Sequence, residues 1–521
     1  MFAAFGSKAG EQKAMAKQFQ KLTNGTSVHG NAGEASAFLV LADEKLRERG
    51  RLALVMPLSL LAGGAWEKSR ALLRSSYIDL IVVTIAGGEC EEDSSFSADT
   101  GMAECLVVAT KAREGSKRAT FVVLDDRPDH QLKSAELARL VHRQLASGLA
   151  TLEGGPVGGT ELYVGDDRLG TMIDAPLPTN GGPWSASRIR DFSLAQTAYE
   201  LATNQRLWLP GQSKSLSQDI PITRLGSIAT VGPYHMDING KEEAGGAVRG
   251  PFEIVDLTAS RAATYPALWA HEALEQRTII VSPDKEGKIR TGKTKAAGEI
   301  IAKRAAAIWS TASEVHVNRD FRFNSQSVAV AFTTRPTIGG RAWPSVKFPD
   351  VSQAKAFALW SNTTLGMMLY WWIANKQQGG RGSVTVTAIP ELPTLDVSKL
   401  TAKRLGELTS IFDEIGAYSL LPFNEIDGDR MRAQLDRRVL GDILGLNCAF
   451  SGAIDLLRRK LSLEPSIAGA KVREVRDAST GIALSPPAKA IGPFPPAAEA
   501  PFVSKLADGG TRASPVRPRR P

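Results

Sequence analysis

The sequence predicts an α/β fold for roughly the first third of the chain, followed by a mixed α+β unit and terminal helices. Three apolar runs, at 52–56, 78–85 and 104–110, are rich in the branched residues typical of buried strands. An amphipathic segment at 66–75 lies between the first two runs, so they are expected to run parallel across a helical crossover. Only a loop separates the second and third runs. The third is therefore expected to return antiparallel beside the second and to end the sheet in an edge hairpin.

Length, charge and cysteine content limit the possible interpretations. At 521 residues the chain is long enough for several domains. Its 63 Lys and Arg against 55 Asp and Glu give a formal net charge of +8, which is compatible with a polyanionic partner. The three cysteines are far apart, so the sequence indicates neither a disulfide framework nor a zinc site, and a cytoplasmic location is expected. No apolar run reaches the roughly 18–20 residues of a membrane span, so no membrane partner is expected.

Residues 1–150 are assigned to the α/β domain and residues 151–204 to a connector. The domain begins with an amphipathic helix predicted at 35–49. After the three strands it continues with a strand at 119–124 and a helix at 131–149. Gly, Pro, Asp and Thr are frequent at 151–190, a composition typical of irregular chain, and a helix is predicted at 185–202.

Four features of this domain carry a resemblance to a known family. They are the helix at 35–49, RLALVMPLSLL at 51–61, the polar loop SADTGMAE at 97–104 and CLVVATK at 105–111. Together they resemble the C-terminal part of the catalytic domain of the N6-adenine DNA methyltransferases of restriction–modification and related defence systems. The resemblance implies the second half of a Rossmann-like methyltransferase sheet. It also implies a chain that is N-terminally truncated relative to that family, whose chemical half precedes these strands.

Residues 205–400 are predicted to form the mixed α+β unit. Its most informative part has strands at 328–332 and 343–349, followed by a long apolar helix at 354–375. The run from SNTTLGMMLYWW through a Gly-Arg-Gly turn to LPTLDV resembles the target-recognition domain of type I and type IIG restriction–modification proteins. The resemblance implies a module that lies in the DNA major groove, where base edges distinguish all four base pairs.

Two segments complete the domain assignment. Residues 401–465 contain three amphipathic stretches and are predicted to be helical. Residues 478–521 are rich in Pro, Ala and Gly, so this tail is predicted to be disordered.

Seven side chains of the recognition unit are candidates for contact with double-stranded DNA. Arg can donate two hydrogen bonds to guanine, and Asn or Gln can pair in the same way with adenine. Alternatives stay open, since Asn362 can instead cap a helix and Arg381 can be structural or bind phosphate. The aromatic residues 370–372 can stack on an extruded base or belong to the core. The candidates are Arg319, Arg322, Arg335, Arg341, Asn362, Gln378 and Arg381.

Two motifs that adenine methylation needs are absent from the sequence. One is a glycine-rich turn after a first strand, which approaches S-adenosylmethionine. The other is an Asn/Asp-Pro-Pro-aromatic loop, which holds the flipped adenine. The glycine-rich stretch EGGPVGG at 153–159 follows no convincing strand and is interpreted as a flexible loop. No catalytic residue is assigned, and S-adenosylmethionine is expected only for a complete enzyme.

The expected function is therefore part of a DNA adenine-N6 methyltransferase, which contributes half of the sheet and the DNA-recognition module. Two explanations for the missing methyltransferase half stay open: a separate chain carries it and is then a partner, or it was lost by a truncated or misplaced start. The alternative is a noncatalytic, sequence-specific DNA-binding protein. An unrelated α/β enzyme is a third possibility, although no nucleophile elbow, Walker loop or metal cluster in the sequence supports it.

Overall fold

The computed structural model describes two sheets and the helices that follow them. The described residues are 32–86, 94–97, 102–128, 130–209, 216–241, 243–244, 247–257, 264–377 and 379–469, with four single residues between 14 and 21. The tail 478–521, Gln378 and part of the loop at 97–104 lie outside these residues, so the statements about them remain predictions.

The first sheet contains the three predicted apolar runs. Within the described residues its strands pair in the order β1-β3-β2-β4-β6-β5. The strands are β1 (Arg51–Pro57), β2 (Tyr77–Ile85), β3 (Glu104–Lys111), β4 (Arg118–Leu124), β5 (Gly158–Val164) and β6 (Asp167–Pro176). The helices of this part are α1 (Gly33–Lys45), α2 (Glu67–Ser76), α3 (Gln131–Ser147) and α4 (Phe192–Asn204). The prediction of strands, crossover helix and α3 is confirmed, although α1 ends earlier than expected.

Strand β3 is antiparallel to β2, as predicted, but it lies inside the sheet. Leu106 of β3 is opposite Val55 of β1 on one side and Val83 of β2 on the other. Strands β1 and β2 therefore run in the same direction, but the expected parallel pairing of the two is wrong, because β3 lies between them. The predicted edge hairpin is wrong, because the outer side of β2 pairs in parallel with β4.

The prediction of irregular chain at 151–190 is wrong, because these residues supply β5 and β6, whereas the helix predicted at 185–202 is confirmed as α4. Strand β6 pairs antiparallel with β4, and β5 pairs with β6. The glycines that suggested loop serve close packing here. A Cβ atom at Gly159 would lie 2.5 Å from the ring of Phe192 at the start of α4. Glycine in a strand often marks such a close approach of another group. Composition alone does not distinguish a glycine of this kind from a glycine in a loop.

The second sheet and its satellites follow the first. Within the described residues, the larger sheet pairs in the order β10-β20-β17-β19-β14-β16-β13, and β15 pairs with β19. Its strands are β10 (Thr230–Val231), β13 (Phe252–Asp256), β14 (Pro266–Leu268), β15 (Ile280–Val281), β16 (Lys285–Ile289), β17 (Ser313–Val317), β19 (Val330–Gly339) and β20 (Ser345–Lys347).

Smaller sheets lie around it, built from β7 (Arg206–Leu209), β8 (Leu216–Asp219), β9 (Ile222–Arg224), β11 (Glu243–Ala244), β12 (Ala247–Val248), β18 (Asp320–Arg322), β21 (Asn375–Lys376), β22 (Arg381–Ser383) and β23 (Pro393–Leu395).

The long apolar helix predicted at 354–375 is two helices. The helices of this unit are α5 (His235–Asn239), α6 (Lys295–Trp309), α7 (Val351–Ser361) and α8 (Thr364–Ile373). The break lies between α7 and α8, where the Thr363 hydroxyl accepts a hydrogen bond from the Gly366 N–H at 3.1 Å and caps α8. The aromatic residues 370–372 are buried, so the core alternative is confirmed for them.

The terminal helices pack onto the same core. They are α9 (Ala402–Ile415), α10 (Arg430–Asp436), α11 (Cys448–Ser462) and α12 (Pro465–Ala468). One cluster of buried apolar side chains extends from Leu39 of α1 through Phe121 of β4 and Phe332 of β19 to Leu457 of α11. The predicted first domain and recognition unit therefore share a hydrophobic core. None of the helices in the described part of the chain is both long and apolar enough to cross a bilayer.

Candidate nucleic-acid interface

The segment that leads into β18 joins three parts of the recognition unit. The backbone N–H of Arg319 donates to the carbonyl of Ala342 at 3.0 Å, and its carbonyl accepts from Val384 at 2.8 Å. These bonds hold Arg319 next to the turn that carries Arg341, between β19 and β20. Two arginines distant in sequence are thereby brought together by main-chain hydrogen bonds.

His235, at the start of α5, lies within this group of positive charges. Burial lowers the pKa of His235, and the charges of Arg341, Arg319 and Arg249 lower the pKa further. The nearby Tyr234 ring is 4.2 Å from the imidazole, and the Arg249 guanidinium lies 5.9 Å from the centre of the same ring. We call His235, Arg249, Arg319 and Arg341, with Tyr234, the arginine cluster.

Few acidic groups balance the arginine cluster. Asp237 pairs with Arg249 at 2.9 Å, and Asp320 lies 3.7 Å from Nε of Arg319. In the described part of the chain, buried Nδ1 of His235 and buried Nε of Arg319 have no hydrogen-bond partner. The guanidinium of Arg341 is exposed and makes no described hydrogen bond or ion pair. The exposed Arg341 guanidinium, unlike those two buried atoms, is open to an anionic ligand with several acceptors.

Arg322 and Arg381 extend the positive surface along β18. They are directly opposite each other in the antiparallel pairing of β18 and β22, and both are exposed. Arg322 follows Arg319 by three residues, about 10 Å at the rise of a strand. Because side chains three residues apart in a strand point to opposite faces, this pair forms a second basic site near the arginine cluster.

The structure brings together four of the seven predicted DNA contacts, which are Arg319, Arg322, Arg341 and Arg381. It does not bring Arg335 to them. Ser313 is opposite Thr337 while Val315 is opposite Phe332, so residues 333–336 of β19 bulge outward and carry Arg335. No described contact joins Arg335 to the arginine cluster.

The prediction that Asn362 contacts DNA is wrong. The side chain is fully buried at the end of α7, where its Nδ2 donates to the carbonyls of Val330 and Ala358, both at 2.8 Å. Its Oδ1 accepts from the backbone of Ala329 at 3.0 Å. The amide is thus fully used within the fold and ties β19 to α7.

The sequence did not indicate Tyr234, His235 or Arg249. These three residues form a basic site only because the fold brings Arg319 and Arg341 next to them, and these two arginines lie about 70 or more positions later in the sequence. The adjacent Tyr234 and His235, in a segment interrupted by Gly and Pro, are the local sequence feature that could have pointed to this site. The pair matches no motif with a defined spacing.

The described residues do not fit S-adenosylmethionine, the cofactor that the resemblance implies. A cavity of about 270 Å³ lies beyond the C-terminal end of β4, but charged residues such as Asp125, Lys133 and Arg168 line it. Asp125 is already paired with Arg168 and Arg190. Two glycines of 153–159 face other side chains instead of a ligand site, since a Cβ at Gly155 would lie 2.1 Å from the Gln196 side chain and one at Gly159 would lie 2.5 Å from the Phe192 ring. No catalytic step is therefore derived from this cavity.

No family model matches the chain, and no curated protein matches it. Among solved structures, the type IIG restriction endonuclease BpuSI matches with 14% identity and a TM-score of 0.34, covering 90% of this chain and 53% of that chain. The chain thus spans about half the length of that structure. These values do not establish a shared family.

Two shorter matches involve type I systems. A protein described as a modification subunit of a type I restriction enzyme from Vibrio vulnificus YJ016 is 17% identical, with a TM-score of 0.18, over 22% of this chain and 26% of that chain. A structure that concerns complex assembly and conformational transition of the type I restriction–modification system is 23% identical, with a TM-score of 0.19, over 24% and 27%.

Proposed function

We propose that this chain binds double-stranded DNA as the recognition part of a restriction–modification DNA methyltransferase. The observation that carries the proposal is the arginine cluster, in which the exposed Arg341 makes no ion pair with any described residue and lies close to Arg319 and Arg249. Several cations with few balancing carboxylates favour a polyanion over a small neutral ligand. The resemblance of the surrounding sequence to target-recognition domains selects duplex DNA among polyanions.

The arginine cluster contains side chains of the kind that recognise DNA bases. The Arg319 and Arg341 guanidinium groups have the fork geometry that pairs with O6 and N7 of guanine in the major groove. Arg249 is partly committed to Asp237 and to the Tyr234 ring, so it is better suited to positioning. We assign Arg319 and Arg341 to base contacts, and the exposed Arg322 and Arg381 to the DNA backbone.

The methyltransferase part of the proposal, with N6-adenine as target and S-adenosylmethionine as donor, requires a second polypeptide segment. Strand β1 has an edge where that segment would pair. Leu58 donates to Ala103 at 2.9 Å and Gly50 accepts from Lys111 at 2.8 Å, so the even-numbered residues of β1 bond to β3. The N–H and C=O groups of Ala53 and Val55 then point away from β3, and no described strand pairs with them.

An incompletely covered apolar face adjoins this free edge. Val55, Leu106 and Val83 form one row across β1, β3 and β2, and each is only partly buried. A partner that adds a strand to β1 and packs over this row would complete the sheet, and we propose that it carries the cofactor turn and the Asn-Pro-Pro-aromatic loop. Such an assembly would act in the cytoplasm.

The alternative function is a noncatalytic specificity protein that binds DNA without methylating it. The charged cavity beyond β4, which does not fit S-adenosylmethionine, favours this alternative for the chain by itself. Both functions share the DNA-binding step and differ only in whether a partner supplies the chemistry.

Fluorescence anisotropy with labelled duplexes tests the shared step. The double variant Arg319→Gln/Arg341→Gln should bind at least about 30-fold more weakly than the unmodified chain, because each lost contact costs about 1–3 kcal/mol. Arg404→Gln is the matched control, since Arg404 is exposed on α9 and its change should leave affinity the same. Equal affinity of the double variant and the control would contradict the proposal. Transfer of a labelled methyl group in the presence of a candidate partner then separates the methyltransferase from the specificity protein.

A further inference from the structure

We propose that Arg322 and Arg381 together bind a single phosphate group of the DNA backbone. The inference rests on the proposed function and assigns a specific chemical group to this pair. Neither guanidinium makes a hydrogen bond or ion pair with any described residue. Two like charges therefore lie opposite each other, with no described counter-charge on either.

The register of the two strands places the side chains close together. Arg322 is opposite Arg381, and the next residues, Phe323 and Gly380, are joined by a hydrogen bond from the Phe323 N–H at 2.7 Å. Hydrogen-bonded and non-hydrogen-bonded pairs alternate along an antiparallel ladder, so Arg322 and Arg381 form a non-hydrogen-bonded pair. Side chains are closest in pairs of this kind, with Cβ atoms about 4.5–5.5 Å apart.

The opposite face of the same strands is anchored in the core. Phe321 is fully buried, and its ring centroid lies 5.0 Å from that of Phe323 and 5.7 Å from that of Tyr370. Gly382, opposite Phe321, faces the ring of Phe323, because a Cβ there would lie 2.5 Å from it. The backbone is therefore fixed from behind, and the two arginines cannot separate by moving the strands apart.

Like charges directly opposite each other destabilise a strand pair. The carboxylate nearest in sequence, Asp320, is opposite Ser383 and lies beside Arg319, so it does not bridge the pair. A phosphodiester has two non-bridging oxygens and one negative charge. Because each guanidinium fork can donate to both oxygens, one phosphate between the arginines would relieve the repulsion and satisfy the donors of both.

The test measures duplex affinity against salt concentration for the full chain, Arg322→Gln, Arg381→Gln and the double variant, with Arg404→Gln as control. The slope of log affinity against log salt reports the number of phosphates neutralised, at about 0.9 per phosphate on duplex DNA. If both arginines hold one phosphate, the double variant should lose about 0.9 from the slope. Each single variant should lose affinity by several-fold, and the second change should add little to the first.

The outcomes separate this inference from the proposed function. If the unmodified chain does not bind duplex DNA, both are overturned. If it binds and the double variant keeps the full slope, only the phosphate site is overturned. A slope reduced by about 1.8 would mean two separate phosphates, and would overturn the shared site. Duplexes with one neutral methylphosphonate linkage supply a second readout, because one position should remove the difference in affinity between the unmodified chain and the double variant. Thermal unfolding of each variant verifies that it is folded.

Discussion

Replacing Arg432 with Met should destabilise the chain by about 3–5 kcal/mol, the cost typical of breaking a buried charge network. Arg432, on α10, is fully buried and donates to the carbonyls of three separate segments, at Asn362, Ser327 and Leu421. Its Nε lies 3.3 Å from a carboxylate oxygen of Asp429. Met fills similar volume but donates nothing, so each buried carbonyl would lose a partner at about 1–3 kcal/mol before relaxation.

The assay is urea unfolding followed by tryptophan fluorescence, since Trp360 and Trp371 are buried in the same core. Arg430→Met is the matched control, because Arg430 is exposed two residues away on the same helix and should change stability by less than about 0.5 kcal/mol. Burial lowers the pKa of Arg432, because removing the guanidinium from water disfavours its charge. Relief of this desolvation cost in the Met variant offsets part of the stability lost with the hydrogen bonds. A stability for Arg432→Met within about 1 kcal/mol of the control would refute the reasoning.

Two further predictions concern proton linkage. Burial and three arginines lower the pKa of His235, and a bound phosphate would raise it, so DNA affinity should increase as pH falls through the bound-state pKa. Anisotropy titrations between about pH 5.5 and 8 should show this increase for the unmodified chain and a weaker one for His235→Gln; equal pH profiles would contradict it. Burial lowers the pKa of Lys376 from 10.5 to about 7. Between these two pH values the unfolded chain binds the lysine proton and the folded chain does not, so the free energy of unfolding should fall as the pH drops from 10.5 to about 7. The urea midpoint of Lys376→Met should depend less on pH than the midpoint of the unmodified chain. An equal pH dependence of the two would contradict a buried Lys376 with a lowered pKa.

The sequence predicted correctly those elements whose own residues decide their structure. The apolar run at 52–56 and the amphipathic stretch at 402–415 became β1 and α9. In each, the periodicity of apolar residues matches the buried face of the final element. The antiparallel return of β3 also followed, since a short loop without a helix permits little else.

The failures share a physical cause, which is dependence on a remote partner. Strand β5 contains Gly159, which is typical of a loop by composition, and only the packing of Phe192 against it explains its place in a strand. Asn362 looked suited to adenine because nothing local shows that Val330 and Ala329 will use its amide. Likewise, the arginine cluster depends on main-chain bonds between Arg319 and Ala342, which no spacing in the sequence encodes.

Selection from a randomised duplex pool tests the central claim most directly. The unmodified chain should enrich a consensus with at least one fixed guanine, because Arg319 and Arg341 are assigned to base edges. The double variant Arg319→Gln/Arg341→Gln should lose that preference, whereas Arg322→Gln/Arg381→Gln should bind more weakly and enrich the same consensus. Enrichment of no sequence by the unmodified chain, or of the same sequence by the Arg319→Gln/Arg341→Gln variant, would contradict the assignment of the arginine cluster to DNA recognition.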